Sequence, residues 1–137
     1  MIGKMQGTGF KSGPLHFTEE SARRLIMREV NLELGMPTAD QAVKRLTYEI
    51  YNSKRMKVKI LKIIHGYGSS GIGGKIRIRS REYLKRMIVR GEIHGYIPGE
   101  EFTIFNEETR QAFIICPELR KDKDLERHNN GVTFIVL

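Results

Sequence analysis

The chain has a single cysteine, Cys116, among 137 residues. One thiol cannot form an internal disulfide, and there is no Cys cluster with metal-ligand spacing. A reducing cytoplasm is the simplest home for such a chain. Cys116 ends an apolar run and reads as a buried, inert thiol. No apolar stretch approaches the ~20 residues of a membrane span, so no membrane partner is expected. The opening "MIGKMQGTGFKSGP" is basic and Gly-rich but lacks an apolar h-region, and it does not read as a secretory signal. Residues 1–14 are expected to form a flexible tail, and 15–137 a single domain of ordinary size. Internal repeats and low-complexity segments are missing as well.

Acidic residues are scarce in one third of the chain. Residues 41–90 hold 14 Lys/Arg against Glu49 and Glu82, a net of +12. Residues 1–40 are neutral, and 91–137 carry a net of −4. A field of that sign attracts polyanions such as nucleic acid, acidic lipid or a ribosome surface. A merely solubilising cationic surface is the plainer alternative.

What is present reads as α/β. Thr18 to Met27 suggests a short helix capped by Thr18. "REVNLEL" alternates, with Val30, Leu32 and Leu34 on one side, which predicts a strand over 30–34. "TADQ" has the form of a capping box, with Thr38 at the cap and Gln41 reaching back. Ala39, Ala42, Val43, Leu46 and Ile50 follow at helical spacing, which predicts a helix over 38–53. Val58 to Ile64, "VKILKII", reads as a strand buried on both faces. Together these make a βαβ unit. A helical stripe from Ile76 to Ile88 predicts a helix over 74–89, with Lys75, Arg77, Arg79, Arg81, Lys85, Arg86 and Arg90 on its other faces. Tyr48, Tyr51 and Tyr83 lie on or beside apolar stripes and are assigned to the core. "EIHGYI" (92–97) predicts a strand. "EFTIF" and "QAFIIC" flank "NEETR" and predict a hairpin. A charged loop over 118–131 leads to a closing strand, "VTFIVL".

Between the second strand and the basic helix lies "HGYGSSGIGGK" (65–75). Glycines there let backbone N–H groups converge, and a helix start adds a positive dipole end; together they make an anion cradle. The stretch departs from a P-loop, because Ser69 and Ile76 stand where Gly and Ser/Thr belong. Gly66 to Gly71 matches G-x-G-x-x-G formally, though the loop runs on through Gly73 and Gly74. The cradle residues are Gly66, Tyr67, Gly68, Ser69, Ser70, Gly71, Gly73 and Gly74, extended by Lys75, Arg77, Arg79 and Arg81. His65 sits at the carboxyl end of its strand, where parallel α/β sheets bind ligands. The strand ends bring Glu33 near it. His65 is a candidate acid–base, with Glu33 to orient it, or else it caps the loop by bonding backbone. Tyr67 is either a stacking surface for a base or a packing lid.

The order of these features resembles the Smr domain, the small MutS-related domain. A strand is followed by "GMPTADQAV" opening a helix, a strand ending "IIHGYG", a basic helix and a final "NNGVTFIVL". The HGxG motif of that family corresponds to His65-Gly66-Tyr67-Gly68. The resemblance covers roughly Val30 to Tyr96 plus the last strand. It implies a two-layer α/β sandwich with a small mixed sheet, similar to the carboxyl-terminal domain of translation initiation factor 3. It also implies binding of branched DNA or structured RNA, ribosome association, and endonuclease activity, a hydrolysis of phosphodiesters. The family's first strand usually ends in LDxH, and here Asn31 and Glu33 stand at its aspartate and histidine. "LHFTEESA" from Leu15 offers a rival match. Residues 98–130 exceed the short link expected and read as an insertion carrying the hairpin. Nucleic-acid binding is therefore better supported than cleavage, with a non-catalytic adaptor for a ribosome or protein partner as the alternative. No cofactor is implied; a divalent metal stays open.

Overall fold

The structure, a computed structural model, describes residues 26–67 and 72–137. The expected tail, most of the Thr18–Met27 helix, and Gly68, Ser69, Ser70 and Gly71 lie outside the described residues. The elements run β1 (Met27–Asn31), α1 (Ala39–Arg55), β2 (Ile60–Ile64), α2 (Ile72–Val89), β3 (Gly95–Pro98), α3 (Glu107–Ile115) and β4 (Val132–Val136). Short 3-10 turns at Gly99–Glu101 and Pro117–Lys121 flank α3. The strands form one mixed sheet in the order β1-β2-β4-β3. β1 and β2 are parallel neighbours, and β4 runs antiparallel to both β2 and β3.

The βαβ unit forms as the sequence predicts. Thr38 caps α1: its Oγ1 accepts from Gln41 N at 3.1 Å, and Gln41 Oε1 accepts from Thr38 N at 2.9 Å. A cap of this kind is worth about 1 kcal/mol. Ala42, Leu46 and Ile50 turn inward and are fully buried. They meet Leu61 and Ile63 of β2, Leu84 and Met87 of α2, and Ile135 of β4 in one apolar cluster. Thus α1 and α2 lie side by side on one face of the sheet. Tyr48 and Tyr51 are not part of this core; both are exposed.

The first strand sits three residues earlier than the alternation suggests. Asn31 Oδ1 accepts from Glu33 N at 2.8 Å and turns the chain out of the sheet. Leu32 is still buried, but Leu34 is 65% exposed. The Arg45 guanidinium holds the turn by donating to the Leu34 carbonyl at 2.8 Å.

The hairpin predicted within 98–130 does not form; the segment is helical. Asn106 caps α3, its Oδ1 accepting from Thr109 N at 2.9 Å. Thr109, Ala112 and Phe113 are the buried positions, a helical spacing, while Ile114 is 81% exposed. With Phe102, Cys116 and Leu119, this segment packs onto Ile60, Ile97, Val132 and Phe134. This segment is therefore a second cover, and the sheet is enclosed on both faces rather than on one.

Candidate functional site

β2 delivers His65 to the sheet's edge, but the ring does not face outward. His65 is fully buried. Its Nδ1 lies 2.7 Å from the Gly66 carbonyl, and its Nε2 lies 2.8 Å from Thr133 Oγ1 on β4. A carbonyl only accepts, so Nδ1 carries the proton and the Thr133 hydroxyl donates to Nε2. Burial, with Arg81 and Arg77 nearby, pushes the His65 pKa down to about 4. The imidazole is neutral at physiological pH, and both ring nitrogens are engaged inside the protein. Of the two roles considered for His65, the geometry is that of the loop anchor.

Arg81 closes the same network. Its Nε donates to Thr133 Oγ1 at 3.2 Å, and its two terminal nitrogens donate to the Glu100 carboxylate at 2.7 and 2.8 Å. Burial pushes the Glu100 pKa up, but the Arg81 hydrogen bonds and charge outweigh it and hold the carboxyl below its ordinary range. Arg81 is thus a neutralised strut under the loop, not a free phosphate ligand.

Glu33 reaches the loop as expected, though at Gly66 rather than at the His65 ring. A Cβ built on Gly66 would come within 2.7 Å of Glu33 Cδ. Gly66 also has φ +71°, which favours glycine. The amides of His65 and Gly66 both donate to the Gly131 carbonyl at 3.0 Å, so the N–H of Gly66, the first residue of the expected cradle, is spent within the protein.

Of the remaining cradle residues, Tyr67 precedes α2, Gly68 to Gly71 lie outside the described residues, and only Gly73 and Gly74 lie on the helix. Gly73 and Gly74 lie in its first turn, where N–H groups have no intrahelical acceptor. Lys75 is exposed. Arg77 is half-buried, and its Nε is buried without a hydrogen-bond partner. Arg79 pairs with Asp40 at the surface, where both side chains are largely exposed and the pair is worth little.

Sequence reasoning missed the support behind the loop. Lys62 of β2 is buried beneath the segment that leads to β4, 2.9 Å from Asp122 Oδ1, 2.6 Å from Asp124 Oδ2 and 3.7 Å from Glu29 Oε1. Its ammonium also lies over the Phe134 ring, 5.3 Å from the centroid. Asp124 in turn accepts from Asn129 Nδ2 at 2.9 Å, and Asn129 Oδ1 accepts from Gly131 N at 2.9 Å. A continuous polar chain therefore runs from Lys62 through Asp124, Asn129 and Gly131 to His65 and Gly66. The only sequence signal was a lysine inside an otherwise apolar strand, which demands buried carboxylates.

Two cavities flank this framework. A polar cleft of about 590 Å³ is lined by Tyr67 and by Lys123, Asp124, Arg127, His128, Asn129 and Asn130. A smaller one, about 300 Å³, lies between β3 and α3, with Tyr96, Ile97, Ala112, Ile115 and Val136 in its walls, away from the loop. Among the described residues no helix is long and apolar enough to cross a membrane. Compared with protein-family models, with curated proteins and with solved structures, the chain gave no match.

Proposed function

We propose that this chain binds nucleic acid through the phosphate backbone, across the first turn of α2 and the basic surface that α2 shares with α1. One observation carries this reading: the two most basic elements lie side by side on the same face of the sheet. Setting aside the buried Lys62 and the half-buried Arg81, which is held by Glu100, the other twelve of the 14 Lys/Arg in 41–90 are exposed or half-buried. The resemblance to the Smr domain supports the same conclusion, and a mixed sheet built on a βαβ unit agrees with a fold similar to the carboxyl-terminal domain of translation initiation factor 3. Binding is favoured over endonuclease chemistry because His65 keeps both ring nitrogens within the protein.

The test is salt dependence. Each neutralised phosphate contributes about −0.9 to the slope of log K against log salt on duplex DNA. We expect a steep linear loss of affinity for branched DNA and structured RNA, and a slope shallower by about one in Arg77→Ala. Affinity that stays flat from low to high salt overturns the proposal.

A second reading, an adaptor that contacts a protein or ribosome, draws on the α3 segment. Phe105 and Ile114 are each 81% exposed there. Recovery of a stoichiometric protein partner after nuclease treatment, lost in Phe105→Ser, supports it.

A further inference from the structure

The polar cleft beside the glycine loop is a built feature. Its wall, residues 122–131, is fixed from within. Asp124 N donates to Asp122 Oδ1 at 2.8 Å, Arg127 N to the Asp124 carbonyl at 3.2 Å, and Glu126 N to the Phe102 carbonyl at 3.0 Å. His128 Nδ1 lies 3.2 Å from the Glu100 carbonyl. Glu126 (φ +63°) and His128 (φ +54°) both hold a left-handed backbone that costs non-glycine residues energy. The cleft's one carboxylate, Asp124, is already taken by Lys62 and Asn129. The charge left at its walls is that of Lys123 and Arg127, beside the amide of Asn130.

Tyr67 stands at the same cleft. It is 58% exposed, so it does not serve as a lid on the core. A Cβ built on Gly131 would lie 3.2 Å from Tyr67 Cδ1, so one edge of the ring rests close on the backbone of the loop leading to β4. An aromatic ring held this way beside two cations and a free amide matches the parts of one nucleotide: a flat base, a phosphate and hydrogen-bonding edges. The volume is within the range of small-ligand pockets, about 300–1,000 Å³.

We propose that this cleft receives a single unpaired nucleotide of a strand whose phosphates lie on the α2 surface. This rests on the phosphate-binding reading above and specifies its substrate class: nucleic acid with an unpaired base next to structure. Tyr67 stacks on the base, Lys123 and Arg127 meet its phosphate, and Asn130 contacts its edge. The rigid wall means that little ordering is required on binding.

The experiment compares two labelled hairpins, one blunt and one with an unpaired purine overhang, and reads the ratio of their affinities. The wild type should prefer the overhang. Tyr67→Ala should lower that ratio by about 5- to 150-fold, and Tyr67→Phe should keep it. A fluorescent purine analogue at the overhang should be quenched by the wild type and by Tyr67→Phe but not by Tyr67→Ala. Denaturation midpoints confirm that the variants fold. An unchanged ratio in Tyr67→Ala overturns the cleft assignment, while salt-dependent binding of the blunt hairpin still upholds phosphate binding. A free nucleoside monophosphate that binds as tightly as the overhang overturns the strand assignment. Absence of salt-dependent binding to either hairpin overturns both readings.

Discussion

His65 and Thr133 stand 68 positions apart and share a hydrogen bond of 2.8 Å in the buried interior. This bond ties the lip of the glycine loop to the sheet's internal antiparallel strand. The Gly66 carbonyl at the other ring nitrogen fixes where the proton sits, so the Thr133 hydroxyl is the donor in this bond.

Stability should depend on His65 protonation. Its folded pKa, about 4, lies below the unfolded value of ~6.5. The unfolded chain therefore binds more protons between these values. The neutral histidine's contribution is fully present above pH ~6.5 and is lost as pH falls toward 4, on the order of 3 kcal/mol. Urea denaturation at a series of pH values should show this decline, and NMR titration should show a ring that resists protonation.

Gly66→Ala should destabilise the fold by about 1 kcal/mol or more, chiefly through its positive φ, because the Glu33 carboxylate in its path ends an exposed side chain that can swing aside. The double variant Gly66→Ala with Glu33→Ala separates the two causes. It should recover little, leaving the backbone cost. Full recovery would show that φ imposes no penalty.

Lys62→Met keeps the length of the side chain and removes its charge. Asp122 and Asp124 then lie buried without their cation, a loss of about 3–5 kcal/mol. Adding Asp122→Asn and Asp124→Asn should return much of it. Thermal melting of the single and triple variants checks the order.

Arg81→Met should act on structure, by about 1–3 kcal/mol, since Glu100 and Thr133 lose their partner in a half-buried setting. The His65 pKa should then rise from about 4, because a neighbouring cation is gone. Exposed Lys85→Ala should stay within ~0.5 kcal/mol of wild type. Denaturation curves and the His65 NMR titration distinguish the two variants.

The legible parts of the fold were those with local causes. The Thr38–Gln41 box and the spacing of Leu46 and Ile50 define α1 without reference to anything distant. The apolar run ending in β2 and the pattern leading to β4 are equally self-contained. The register of β1 was hidden because one Asn31 side chain ends the strand while the alternation of apolar residues continues to Leu34. The α3 segment misled because a short run such as "AFII" fits either period; the Asn106 cap and the burial of Ala112 decided for a helix. At the site, the proximity of Glu33 to the loop was readable from parallel strand ends. The partners of His65 and Arg81 were not, because Thr133 and Glu100 reach them only once β4 and the turn after β3 are in place.

β4 lies inside the sheet, bonded to β2 on one side and β3 on the other. Deleting it would split the sheet in two rather than shorten it, stranding β3 with no hydrogen-bonded neighbour. The β1–β2 pair can assemble from nearby sequence, but everything beyond it must wait for a partner about 70 residues downstream. Contacts of that range make a slow late step in assembly, during which the open flank of β2 is a template for other chains.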